Sequence, residues 1–154
     1  MKRIVLVLGL AFLCAVPGAQ LWAANPQAAA DSQQKSLYQR LGGYDALAAV
    51  TDDFLARMQA DPQLKRFFIG FSTDSQKRIR NHVIDFLCQA TGGPCAYTGR
   101  DMKTVHTGLH ITEEDWQAAV KHLTATLDKF KVPQQEKGEV LGAISRLKSQ
   151  IVGL

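Results

Sequence analysis

Four histidines and three cysteines are the residues of this 154-residue chain most suited to hold a metal or carry electrons. His106 and His110 are four apart, a spacing that puts two imidazoles on one helix face. Gly108 interrupts them and no glutamate follows His106, so the zinc-protease helix H-E-x-x-H is absent. His122 follows Lys121, off the apolar stripe of its segment, and reads as a solvated residue. His82 and His106 remain. His82 shares a helical face with Ile79, Val83 and Phe86. His106 ends the stretch "GGPCAYTGRDMKTVH" at 92–106, where three glycines and a proline break a helical pattern. A lone histidine on an apolar face is more often a satisfied core residue than a ligand. Two on consecutive elements, with Phe54, Phe67, Phe68 and Phe86 close in the chain, suit a flat apolar cofactor with a metal at its centre. Such a group needs an apolar pocket, one neutral imidazole on the metal and a second face left for a ligand.

Other chemistries lack their residues. There is no G-x-S-x-G elbow, and Gly42-Gly43 is too sparse for a phosphate-binding loop. No C-x-x-C-H stands in the chain, which argues against covalent attachment of a cofactor through cysteine. No basic stripe with interleaved aromatics marks a nucleic-acid surface.

The first thirty residues differ from the rest. Met1-Lys2-Arg3 is a basic head, Ile4 to Val16 is apolar apart from Gly9, and no further charge follows until Asp31. This is the layout of a secretory signal, with cleavage after Ala30 or after Ala23. An uncleaved anchor is the alternative, marginal for a span of about 20 residues. Cys14 follows bulky Phe12 and Leu13, a poor lipoprotein context. The expected division is thus 1–30 as signal or anchor and 31–154 as one domain, periplasmic or secreted, or else membrane-anchored. Cleavage removes Lys2 and Arg3 but no acid, so the formal charge falls from +4 to +2. It also leaves two cysteines, Cys88 and Cys95, flanking a Thr91-Gly92-Gly93-Pro94 turn. In an oxidising compartment they read as a disulfide, with two buried free thiols as the alternative.

The elements that must position these side chains are helices. Leu47, Val50, Phe54 and Met58 fall on one face of a first long helix that stops at Asp61-Pro62. Ile79, His82, Val83, Phe86, Leu87 and Ala90 share a face on a second, stopped by Gly92-Gly93-Pro94. Trp116, Val120, Leu123 and Leu127 form a third, opened by Thr112 with acids in its first turn and ending near Val132-Pro133. Leu141, Ile144, Leu147 and Ile151 form a fourth. Shorter helical pieces are expected at Ser36–Leu41 and at about Asp101 to Thr107. The class is all-α, with prolines at helix boundaries where a missing amide donor does least harm.

In order and spacing, several motifs resemble the group 1 truncated hemoglobins. They are Leu37-Tyr38-Gln39-Arg40-Leu41-Gly42-Gly43, Asp61-Pro62 with Phe67-Phe68, Gly92-Gly93-Pro94, Tyr97-Thr98-Gly99-Arg100-Asp101-Met102 and Val105-His106-Thr107-Gly108-Leu109-His110-Ile111-Thr112. The resemblance runs from about Ser36 to Val152. It implies a two-over-two helical sandwich around heme b, with His106 as the proximal iron ligand and Phe68 packed on the heme face. Tyr97 and Met102 match heme-contacting positions, and Trp116 and Ile144 match pocket positions. The resemblance also sets Phe54, Leu55, Phe67, Ile79, Val83, Phe86 and Ile111 around the same group.

The departures bear on function. Many relatives carry a tyrosine after the phenylalanine of the first long helix, and its hydroxyl holds bound oxygen; here the pair is Phe54-Leu55. Relatives often have glutamine on the distal helix, where this chain has Ile79 and Val83. His82 falls where some six-coordinate members carry a distal histidine ligand. Its roles stay open between iron ligand, propionate partner and hydrogen-bond donor. The resemblance implies a monomeric binder of oxygen, carbon monoxide or nitric oxide. Alternatives are a bis-histidine electron-transfer protein served by an electron donor, a nitric oxide dioxygenase or peroxidase, and a helical interaction module without heme. Contact with a membrane is expected only through an uncleaved N-terminal segment.

Overall fold

The computed structural model describes residues 35–154. The leader, both cleavage points and Cys14 lie outside the described residues. Six α-helices follow in order: α1 (Leu37–Arg40), α2 (Gly43–Ala60), α3 (Thr73–Ala90), α4 (Met102–His106), α5 (Glu113–Lys129) and α6 (Gln134–Ser145). Two 3₁₀ turns, Lys65–Phe68 and Lys148–Gln150, complete them, and no strand occurs among the described residues. The all-α expectation and its helix starts hold.

Each start has a local cause. Ser36 opens α1 through a capping box with Gln39. Gly42 takes φ +99 in the tight turn into α2, a backbone region that favours glycine. Ser72 caps α3, Asp101 caps α4, and Thr112 caps α5 in a box with Asp115. Pro133 stands at the head of α6, where its lack of an amide donor costs nothing.

Helix α2 lies at the centre, packed on α3 and α5, while α6 packs on α5 and α1. One core cluster joins Val50 of α2 to Leu123 and Leu127 of α5 and Val140 of α6, with Phe54 and Ile144 against it. A second joins Leu47 of α2 to Ile84 and Cys88 of α3. Each fully buried aliphatic side chain here contributes about 1.5–3 kcal/mol relative to exposure. Asp53 ties α2 to α5: it accepts from Arg57 at 2.6 Å, from the Thr126 hydroxyl at 2.8 Å and from Lys129. The Arg57 guanidinium, with Lys129, holds its carboxyl well below the usual carboxylate range.

Three features differ from the sequence reading. The fourth helix ends at Ser145, so Leu147 and Ile151 lie beyond it, because the chain turns through a 3₁₀ segment toward the loop after α4. There Gly153 N–H donates to the Ile111 carbonyl and His110 N–H to the Leu154 carbonyl. His122 is not freely solvated: it is half-buried, with Nε2 2.7 Å from Asp61 Oδ2. On α3 the fully buried residues are Ile84 and Cys88, on a different face from the Ile79–Val83–Phe86 stripe.

Candidate cofactor site

Helix α4 is only five residues long, and it presents His106 as its last residue. Asp101 holds its first turn, accepting from the Thr104 amide at 2.9 Å and its hydroxyl at 2.6 Å. Hydrogen bonds from Thr104 and nearby amides hold the Asp101 carboxyl below its ordinary value. The His106 ring is half-buried, and its Nδ1 lies 2.7 Å from the Met102 carbonyl oxygen. A carbonyl can only accept, so in the neutral imidazole Nδ1 carries the proton and Nε2 keeps its lone pair. That is the tautomer a metal-binding imidazole requires. His110 does not join it: it is exposed, with left-handed backbone at φ 50. Among the described residues no three His, Cys, Asp or Glu side chains gather into a metal cluster.

The second group of predicted residues is the stripe on α3. Ile79, Val83 and Phe86 are half-buried and His82 is exposed. The chain leaving α3 doubles back along this face. Cys88, on the buried face of α3, and Cys95 form the disulfide that anchors this return, with Cα atoms 5.7 Å apart. A Cβ on Gly93 would fall 2.6 Å from both Cys88 Sγ and a Tyr38 ring carbon, so only glycine fits inside the bridge. The Tyr97 ring then meets Phe86 edge-on at 5.4 Å and His82 at 5.9 Å. Its hydroxyl donates to the Arg100 carbonyl at 2.6 Å. Burial pushes the phenol pKa up, with the Asp101 charge adding to it.

Phe67 and Phe68 stand half-buried on the first 3₁₀ turn. Asp115, 2% exposed, secures that turn, accepting from Gln63 at 2.8 Å and Arg66 at 2.5 Å. Arg66 in turn lies over the Phe67 ring, 4.4 Å from its centroid. Burial pushes the Asp115 carboxyl up, but bonds from the Thr112 amide, Gln63 and Arg66 outweigh it and leave the pKa lowered. Sequence reading missed this clasp. The T-x-x-D pattern at 112–115 signalled a cap, but nothing local paired Asp115 with a turn 49 residues away.

Contacts thus join His82, Phe86 and Tyr97 in one group, and place Phe54 and Ile144 on one core cluster. Leu55, Met102, Ile111 and Trp116 stand half-buried on or beside α2, α4 and α5. None of these apolar residues is fully buried. A tautomer-locked imidazole and apolar side chains short of full burial fit a heme.

The comparisons agree with this geometry. The pattern of the family described as bacterial-like globin matches residues 36–152. The group 1 truncated hemoglobin of Mycolicibacterium paratuberculosis is 38% identical over 120 residues, covering 78% of this chain and 86% of that protein. The group 1 truncated hemoglobin of Chlamydomonas moewusii is 32% identical over 121 residues, covering 77% and 69%. Among solved structures, the truncated hemoglobin of Tetrahymena pyriformis in its Fe(III) form superposes with a TM-score of 0.71 at 28% identity, covering 78% of this chain and all of that one. The fold is therefore the two-over-two globin fold, and the chain belongs to the bacterial-like globin family as a group 1 truncated hemoglobin.

Proposed function

We propose that the domain holds heme b on His106 and binds a diatomic gas, oxygen, carbon monoxide or nitric oxide, on the side of α3. The observation that carries this is the Nδ1-to-Met102 hydrogen bond, which leaves the lone pair of His106 Nε2 free to ligate in the neutral ring. Heme, when bound, supplies the iron to which the gas attaches. The rest falls to this chain's residues. Met102 and Asp101 fix the imidazole, Phe67 and Phe68 offer flat apolar faces, and Ile79, Val83 and Phe86 keep water from the opposite side. Tyr97, Ile111, Trp116 and Ile144 complete the enclosure.

Leu55 offers no hydrogen bond to a bound gas, so the domain releases oxygen readily unless His82 supplies one. His82 is also the residue that gives the second reading its footing. Rotated inward from its exposed position, it would act as a second axial ligand, turning the domain into a bis-histidine electron carrier. Nitric oxide dioxygenation is the third reading; the side chain at Leu55 weighs against it and it calls for an electron donor. The domain acts as a monomer, and a leader at residues 1–30 would direct it outside the cytoplasm.

The test is an absorption spectrum of the purified protein, oxidised, reduced, and reduced with carbon monoxide. A heme band that shifts on carbon monoxide addition supports the gas-binding reading. Sharp split bands in the reduced state mean six-coordinate iron and favour the electron carrier. No heme band after reconstitution overturns both.

A further inference from the structure

The loop between α3 and α4 is fastened to α3 at more points than a simple connection needs. The disulfide joins Cys88, fully buried, to half-buried Cys95, two residues before Tyr97. Gly93 N–H donates to the Cys88 carbonyl at 2.8 Å. Tyr97 N–H donates to Gln89 Oε1 at 2.6 Å, in a solvent-exposed bond. The Tyr97 ring is wrapped by its own chain: a Cβ on Gly99 would fall 2.3 Å from its hydroxyl oxygen. His82, Phe86 and Gln89 lie at i, i+4 and i+7, one face of α3, and all three meet Tyr97. His82 is exposed while its neighbours on the stripe are half-buried, and its ring is met by the edge of Tyr97.

We propose that the Cys88–Cys95 disulfide is a redox-controlled clamp, which through Tyr97 holds the His82 imidazole at the rim of the cleft and away from the metal position. This rests on the reading of His106 as the iron ligand. With the bridge closed, His82 stays at the rim and the distal side is open to a gas. With the bridge open, the loop is held to α3 by exposed hydrogen bonds, Tyr97 loses its fixed place, and His82 is free to turn inward.

The reductant is a dithiol. Its thiolate attacks Sγ of Cys95, the more accessible sulfur, and Cys88 leaves as a thiolate that takes a proton. The second thiol resolves the mixed disulfide. Two electrons and two protons pass to the protein, giving two cysteine thiols and the oxidised reductant. Tyr97 is a positioning residue in this scheme and takes no part in the exchange.

The experiment follows the His82 ring resonances by NMR in the heme-loaded ferrous carbon monoxide form, before and after dithiol treatment, with thiol alkylation to confirm opening. A carbon monoxide ligand holds the iron in both states, so a shift of these resonances reports movement of the His82 ring and not its ligation. The ferrous form without added ligand is then scored by absorption for its six-coordinate fraction. Reduction is expected to move the His82 resonances. It should also raise the ratio of six- to five-coordinate iron by about twofold to tenfold, the range an aromatic edge contact can hold. Cys95→Ala should match the reduced state, Tyr97→Leu should show it with the bridge intact, and Tyr97→Phe should keep the wild-type response. Resonances and coordination unmoved by opening the bridge overturn the clamp, as does a response to Tyr97→Leu with none to reduction. A chain that takes up no heme overturns the proposed function instead, and its His82 resonances still decide whether the bridge fixes Tyr97 against His82.

Discussion

The Nδ1 atom of His106 lies 2.7 Å from the carbonyl oxygen of Met102, one helical turn earlier on a helix of five residues. So short a helix has no stability of its own, so Asp101 at its head and the chain end beyond Ile111 must hold the imidazole in place. A His106→Gly variant is therefore expected to lose heme while keeping its helix content. Added imidazole should restore an absorption band, because the pocket walls remain; a variant that keeps its band without imidazole would remove His106 from the iron.

Two isoleucines five residues apart on α3 should behave differently. Ile84 is 0% exposed in the core against Leu47, whereas Ile79 is half-buried on the other face of α3. Ile84→Ala should cost about 2–4 kcal/mol of stability in urea unfolding of the heme-free protein. Ile79→Ala should cost well under half of that, and its effect should appear as faster heme loss to an acceptor. Equal losses of stability would mean that the two faces are packed alike.

Asp53 makes stability depend on acid. Its pKa is lowered in the folded state, chiefly by Arg57, so its contribution is fully present above the unfolded carboxyl value of about 4. That contribution disappears as pH falls through the lower folded value. Urea midpoints measured from pH 6 downward should fall less steeply below about pH 4 for Asp53→Asn than for the parent. Parallel curves would place the acid sensitivity elsewhere.

Asp115 closes the Thr112 capping box and clasps Gln63 and Arg66. Replacing it by alanine should cost about 2 kcal/mol, the loss of a helix cap and one buried hydrogen bond. It should also loosen the turn that carries Phe67 and Phe68. Heme affinity and the unfolding midpoint should drop together, and a drop in the midpoint alone would separate the clasp from the pocket.

On the proposed gas-binding reading, Leu55 replaces a tyrosine whose hydroxyl would serve a bound gas. Leu55→Tyr is expected to slow oxygen release about fivefold or more, the effect of one added hydrogen bond of about 1–3 kcal/mol. Stopped-flow displacement of oxygen by carbon monoxide measures it. An unchanged rate would assign the donor to His82 already.

Much of the fold was legible in the chain itself. Ser36, Asp101 and Thr112 announced helix starts, because a side-chain cap acts within three residues. Asp61-Pro62 and Gly92-Gly93-Pro94 announced helix ends for equally local reasons. The shortened last helix was hidden, since no proline or glycine stops it. It ends because the following residues pair with Ile111 and His110, far back in the chain. The pairing of His122 with Asp61, 61 residues away, was hidden for the same reason.

The α3 stripe shows the same boundary. Periodicity identified Ile79, Val83 and Phe86 as one apolar face, and composition marked His82 and His106 as the imidazoles to watch. Periodicity states that a face is apolar without stating what covers it. Only the packing of α2 against Ile84 and Cys88 shows that the core took the other face and left this one beside Tyr97. Residue type and spacing by themselves determined the helices, their caps and the two histidines, because those act over one or two turns. Tertiary structure alone decided which face of α3 is buried and where His82 rests. Those depend on atoms brought together from distant parts of the chain.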